Sequence, residues 1–141
     1  MEESRILALD FGEKRIGVAI SDPLNIFAYP LVTLQNDSKI WDGLKNILTE
    51  NKIEKVIIGY PFKESGAVSK ISDLVLKFQS EIEKRFSIQT ELVDERYSSS
   101  IAQQRIVQSI PSKKKRRDKS LIDKNAAAVF LEDYLNKKNK Y

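Results

Sequence analysis

The sequence contains no cysteine and no histidine. Without cysteine there is no disulfide framework and no thiolate chemistry. Without histidine, the commonest general base and the commonest zinc ligand are both missing. Any chemistry must rest on carboxylates, amines, hydroxyls and backbone groups. Any metal would need oxygen ligands, which points to Mg2+ or Mn2+. No apolar run approaches the ~20 residues that span a bilayer, so no membrane partner is expected. The opening MEESRILALD is acidic ahead of its apolar run and lacks the layout of a signal peptide, so a cytoplasmic location is expected.

The 141 residues, 41% of them hydrophobic, suit a single domain over residues 1–141. A chain of this length buries roughly 68–70% of its unfolded surface and can hold one core without staples. No internal repeat, linker or low-complexity tract divides it. The net charge is +4, but it is unevenly spread. In SKKKRRDK, residues 112 to 119, six basic residues stand against Asp118 and give +5, which leaves the rest of the chain at −1. Such a local run fits a segment that contacts phosphates better than a uniformly basic coat does. A solvated flexible loop is the plainer alternative.

Residues 5 to 11, RILALDF, read as a buried strand, followed by a tight turn at Gly12 to Lys14 and a hairpin partner over 15 to 21. A third strand is expected over about 27 to 33, with Pro30 indicating an edge or a bulge. Asn36, Asp37 and Ser38 are good N-caps for a helix whose Ile40, Trp41, Leu44, Ile47 and Leu48 share one face. KVIIGYP, 55 to 61, is a short buried strand. Ile71, Leu74, Val75, Phe78, Ile82 and Phe86 follow helical spacing. IQTELVDE, 88 to 95, is another strand. Ser98 to Ser100 can cap a helix carrying Ala102, Ile106, Val107 and Ile110. The last helix runs from about 120 to 135, with Ile122, Ala126, Ala127, Phe130, Leu131 and Tyr134 inward. The order βββ-α-β-α-β-α-α indicates an α/β fold: one mixed five-stranded sheet with helices on its faces.

Three acids stand out against this frame. Asp10 ends the first strand, Glu95 ends the last, and Asp123 falls in the first turn of the last helix. Ligands in open α/β sheets gather beyond the carboxyl ends of strands. Acids two strands apart begin roughly 10 Å apart, a gap that inward-leaning side chains and a pair of ions about 3.5–4 Å apart can fill. Three converging carboxylates repel one another unless a divalent cation joins them. Each acid also has a plainer explanation. Asp10 can serve the turn at Gly12, Asp94 and Glu95 can be a solvated strand end paired with Arg96, and Asp123 can answer the helix dipole. Taken together, in a chain without histidine or cysteine, they favour a site.

These residues also carry a family resemblance. DFGEKRIGVAISD resembles the opening motif of the YqgF family, which belongs to the RNase H-like nucleases and is related to Holliday junction resolvases of the RuvC type. IIGYP, GAVSKISDLVLKF, VDERYSSSIA and IDKNAAAVFLEDYL are similar to its later motifs, in order, from Ile6 to about Leu135. Tyr60 stands where leucine is usual and Ser98 where threonine is. The loop PFKESG departs from the family pattern, and no role is carried onto it.

The resemblance implies an RNase H-like fold and a metal-dependent endonuclease that matures the 5′ end of 16S ribosomal RNA from its precursor, with the acidic triad at Asp10, Glu95 and Asp123. The partner implied is precursor rRNA, or a ribosomal particle, ahead of branched DNA. The alternatives are a Holliday junction resolvase acting on branched DNA and a binding module without turnover. A nucleotide-handling protein of the actin-like group would need two such domains. For the nucleic-acid backbone, Arg15 follows the first acid closely and Arg96 can clamp a phosphate through its fork. Lys113, Lys114, Lys115, Arg116 and Arg117 would grip further phosphates, with binding that falls steeply with salt. No base-reading motif is present, so sequence preference would come from RNA shape.

Overall fold

A computed structural model of the chain describes residues 4–61, 70–94 and 119–139. The expected helix after Ser98, the loop PFKESG, Glu95, Arg96 and the basic run Lys113 to Arg117 lie outside the described residues. The elements are β1 (Arg5–Phe11), β2 (Arg15–Ser21), β3 (Ala28–Gln35), α1 (Ile40–Glu50), β4 (Ile53–Tyr60), α2 (Lys70–Phe86), β5 (Gln89–Asp94) and α3 (Lys119–Lys138). The strands form one sheet in the order β3-β2-β1-β4-β5. The pairs β1–β2 and β2–β3 are antiparallel, while β1–β4 and β4–β5 are parallel. The carboxyl ends of β1, β4 and β5 therefore share one edge of the sheet.

Alternation along β1 divides the molecule into two layers, because successive side chains of a strand point to opposite faces. Leu7 and Leu9 join Val18, Val56 and Ile58 on the face covered by α1 and α2. Ile6 and Ala8 join Ala19 and Ile57 on the face covered by α3. The first layer is built from large side chains, with Phe78 of α2 packed between Phe11 at 5.0 Å and Trp41 at 5.3 Å between ring centroids. The second is built from small ones. Ala8 and Ala19 face Ala127 and Ala128, so α3 lies close against the sheet, chiefly on β2 and β3. Lys55 Nζ ties this layer together by donating to Tyr134 Oη at 2.9 Å and to Glu91 Oε1 at 3.0 Å. The tyrosine bond holds that ammonium above its usual 10.5. Burial opposes the shift and Glu91 adds to it.

Three local features differ from, or sharpen, what the sequence pattern indicates. Pro30 sits on the edge strand and beside a bulge: Val18 pairs with Val32, but Ala19 pairs with Pro30, so Leu31 is skipped. An edge position suits a residue with no N–H to give to a ladder. At α1, none of the three expected caps acts in that role. The residue before the helix is Lys39, with no side-chain cap. Asn36 is recruited to the β1–β2 turn instead, donating from its amide to Gly12 O at 2.8 Å, and Asp37 accepts from Lys39 N at 2.9 Å. On α3 the buried set is wider than one face, since every residue from Ala126 to Leu131 is buried, the pattern of a helix covered on more than one side.

The loop after β2 is set by one carboxylate. Asp22 Oδ1 accepts from Ile26 N and Phe27 N, each at 2.7 Å, and Oδ2 from Leu24 N at 3.3 Å. Desolvation pushes this carboxyl up, but the N–H groups of Phe27, Ile26 and Leu24 outweigh it and hold the group below its usual 3.8. A carboxylate with a depressed folded-state value stabilises fully above its unfolded value and loses that stabilisation as pH falls through the folded one. Asp22→Ala should therefore lower stability at pH 7 by about 1–2 kcal/mol, the scale of a lost cap. Urea midpoints of the two proteins should converge as pH falls below 3.8 toward the folded value. A gap that stays constant with pH would show that the charge plays no part.

Candidate active site

The site grows from the β1–β2 hairpin. Gly12 makes the tight turn possible, because a Cβ there would lie 2.6 Å from Arg15 O. Asp10 pairs with Gly17 across the two strands. Directly opposed residues point to the same face with Cβ positions about 5 Å apart. Asp10 alternates with Ile6 and Ala8, so it belongs to the face that α3 covers. The helix reaches that face at Gly17, where a Cβ would stand 2.1 Å from Asp123 O and 2.8 Å from Lys124 N. A glycine inside a strand often marks such a close backbone approach. The missing side chain at residue 17 is what lets the Asp123 backbone settle beside Asp10.

The hairpin also supplies the cation. Arg15 Nε donates to Asp123 Oδ2 at 2.9 Å, across 108 residues of chain, with side chains 28% and 25% exposed. Gly12, Glu13, Lys14, Arg15, Ile71 and Asp123 line an open cavity of about 450 Å³ at the carboxyl end of β1. Glu13 and Lys70 meet at its rim only at 4.0 Å and largely in solvent, a pair of little energetic weight.

Of the expected triad, the structure sets the Asp123 backbone against Gly17, the cross-strand partner of Asp10. Glu95, the third member, lies outside the described residues; Asp94 ends β5 opposite Tyr60. Among the described residues no three His, Cys, Asp or Glu group to hold a metal. The donors that are described suit a hard divalent ion. They are carboxylate oxygens, and Asp123 already faces a cationic nitrogen. Arg15 was expected to contact phosphate, and it bonds Asp123. Gly17 was read from the sequence only as part of a strand, although an interior glycine was the available signal.

The mixed sheet, its strand order and the helices on both faces define the RNase H-like fold. Asp123, expected in the first turn of the last helix, stands in the second turn because α3 begins at Lys119, so the helix dipole does not account for it; it and the acid ending β1 suit nuclease chemistry. Among solved structures, the fold is similar to Thermus thermophilus RuvC bound to a Holliday junction substrate (TM-score 0.59, 13% identity, 97% of this chain and 96% of that one). It is also similar to the Fowlpox virus resolvase bound to Holliday junction DNA (TM-score 0.57, 16% identity, 96% and 99%). The family model described as "RuvX: Holliday junction resolvase" matches residues 4–137, and the chain belongs to that family. It is 39% identical over 135 residues to a Flavobacterium psychrophilum protein named "Putative pre-16S rRNA nuclease", covering 95% of this chain and 98% of that one. A Prosthecochloris aestuarii protein of the same name is 37% identical over 134 residues, with 94% of each covered. The chain is thus a nuclease, a hydrolase of phosphodiester bonds. Among the described residues no helix is long and apolar enough to cross a membrane.

Proposed function

We propose that this nuclease is a cytoplasmic, single-domain, divalent-metal-dependent endonuclease that cuts precursor rRNA at the 5′ side of the 16S sequence. The observation that supports the metal dependence is the approach of the Asp123 backbone to Gly17, the cross-strand partner of Asp10. Asp10, Glu95 and Asp123 would hold Mg2+, or Mn2+, through oxygen alone. When bound, such an ion lowers the pKa of water and offsets charge on a leaving oxygen. Asp10, fixed on a central strand, supplies the rigid ligand. Asp123 comes from a helix whose position Gly17 sets. Arg96 and Lys113 to Arg117 would meet the backbone phosphates, and that contact positions nucleic acid without reading its sequence.

The RNA reading is supported by the names of the two relatives above, each matched over nearly its whole length. The description of the family model supports a second reading, resolution of branched DNA by the same chemistry. Incubating the protein with a precursor spanning the 16S 5′ end, a four-way DNA junction and single strands, each with Mg2+ and with EDTA, separates the two. Cleavage of the precursor alone, dependent on Mg2+, is the expected result. Preferred cutting of the junction would replace the RNA reading, and cleavage of any of them in EDTA would remove the metal site.

A further inference from the structure

We infer that Arg15 is a positioning residue that acts as the resident counter-ion of Asp123, and that it competes with the divalent ion for that carboxylate. The inference rests on the proposed metal site. It is carried by the 2.9 Å bond from Nε to Oδ2 and by the place of both residues in the wall of one cavity. Asp123 is three-quarters buried and stands beside Asp10 on the same face of the sheet. The guanidinium offsets the charge of this largely buried carboxylate while no ion is bound. A carboxylate oxygen that accepts from a guanidinium offers less electron density to a cation, and a positive charge a few ångströms away repels an arriving one. Arg15 therefore weakens ion binding in the free protein. The exchange also accounts for an arginine at this position serving nucleic acid. Once the ion takes Asp123, the guanidinium is released at the rim of the cavity, where a backbone phosphate of the substrate is its natural partner. Ion loading and phosphate binding are then linked, each favouring the other, as linkage requires.

The test is a titration of the full chain with MnCl2 in the absence of nucleic acid, with free Mn2+ read by electron paramagnetic resonance. Arg15→Gln should bind Mn2+ about twofold to fivefold more tightly than the wild type, the scale of a partly exposed ion pair removed from the competition. In an Asp123→Asn background the same substitution should change the affinity little, because the contested carboxylate is gone. Adding a short non-cleavable phosphorothioate strand should tighten Mn2+ binding in the wild type and have a smaller effect in Arg15→Gln. Circular dichroism shows whether each variant is folded. If Arg15→Gln is not, Arg15→Lys, which keeps the charge and loses the Nε bond, is expected to bind Mn2+ more tightly than the wild type by a smaller factor. Unchanged or weaker Mn2+ binding in a folded Arg15 variant overturns the competition and leaves the metal site standing. A wild type that binds no Mn2+ removes both.

Discussion

Gly17→Ala is expected to be among the most damaging single-methyl changes in the molecule. The added Cβ would lie 2.1 Å from Asp123 O, 2.3 Å from its carbonyl carbon and 2.8 Å from Lys124 N. All three are backbone atoms, so no side chain can swing aside, and either α3 or β2 must move by about 1 Å to restore ordinary contact. The neighbouring contacts make that costly. Ala8, Ala19, Ala127 and Ala128 pack the same interface, and small residues hold a helix near a sheet only while the backbones stay close. Overpacking of this kind costs about 3 kcal/mol, which lowers Tm by on the order of 10 °C in a chain of this size. Function should fall further than stability. A shift of about 1 Å in a catalytic group can lose about 100-fold in rate, and Asp123 is the residue displaced. Gly43→Ala is the matched control. There the nearest atoms are the Leu34 side-chain carbons at 3.3 Å, which can turn away, and an alanine inside α1 favours the helix by about 1 kcal/mol. Differential scanning calorimetry and a cleavage assay on both variants decide the matter. A Gly17→Ala protein with wild-type Tm and rate would show that α3 does not depend on this approach.

The same residue shows where sequence reading succeeds and where it stops. The strands of the hairpin were legible because their apolar runs are bounded by Gly12 and Lys14, and Pro30 pointed to an edge or a bulge, of which β3 has both. The face of α1 was legible from period alone. Its cap was not, because three adjacent polar residues are equivalent by propensity and only the nearby turn decides that Asn36 serves Gly12 O. The buried run of α3 was under-read for a related reason. Alanine is neutral to a periodicity argument, and Ala126 to Ala128 are buried by what surrounds them. At the site, Asp10 was legible as an acid at a strand end, whereas Asp123 stands in the second turn of α3 and not in the first. The approach of Asp123 to Gly17 was not legible, because it depends on a helix docking onto a strand more than 100 residues away. The partner of Arg15 was hidden for the same reason, since an arginine next to a turn fits solvent, phosphate or carboxylate equally well until the fold brings one of them near.

Asp10→Asn should abolish cleavage while leaving the fold in place. The substitution keeps size and shape and replaces one carboxylate oxygen with an amide nitrogen, which carries no charge and cannot ligate a hard cation well. Asp10 occupies a central strand, paired with Gly17, so its backbone does not depend on the charge. Its removal also lessens the repulsion with Asp123, so Tm should stay within about 3 °C of the wild type or rise. Transition-state charge offset by a bound ion is worth several kcal/mol, so the loss in rate should reach about 1,000-fold or more. Glu13→Gln separates a ligand from a merely nearby charge. Glu13 lines the same cavity but sits in the turn, 55% exposed and only loosely paired with Lys70, so its loss should leave cleavage within about threefold of the wild type, as for an exposed ion pair. The two variants alter net charge by the same amount at one end of the sheet. If they reduce cleavage equally, the effect is one of overall field and Asp10 holds no ion. If Asp10→Asn cleaves as the wild type does with Mg2+, the nuclease centre lies elsewhere on the chain. A large loss confined to Asp10→Asn, together with weakened Mn2+ binding by the apo protein, is the pattern a carboxylate ligand produces and a solvated turn residue does not.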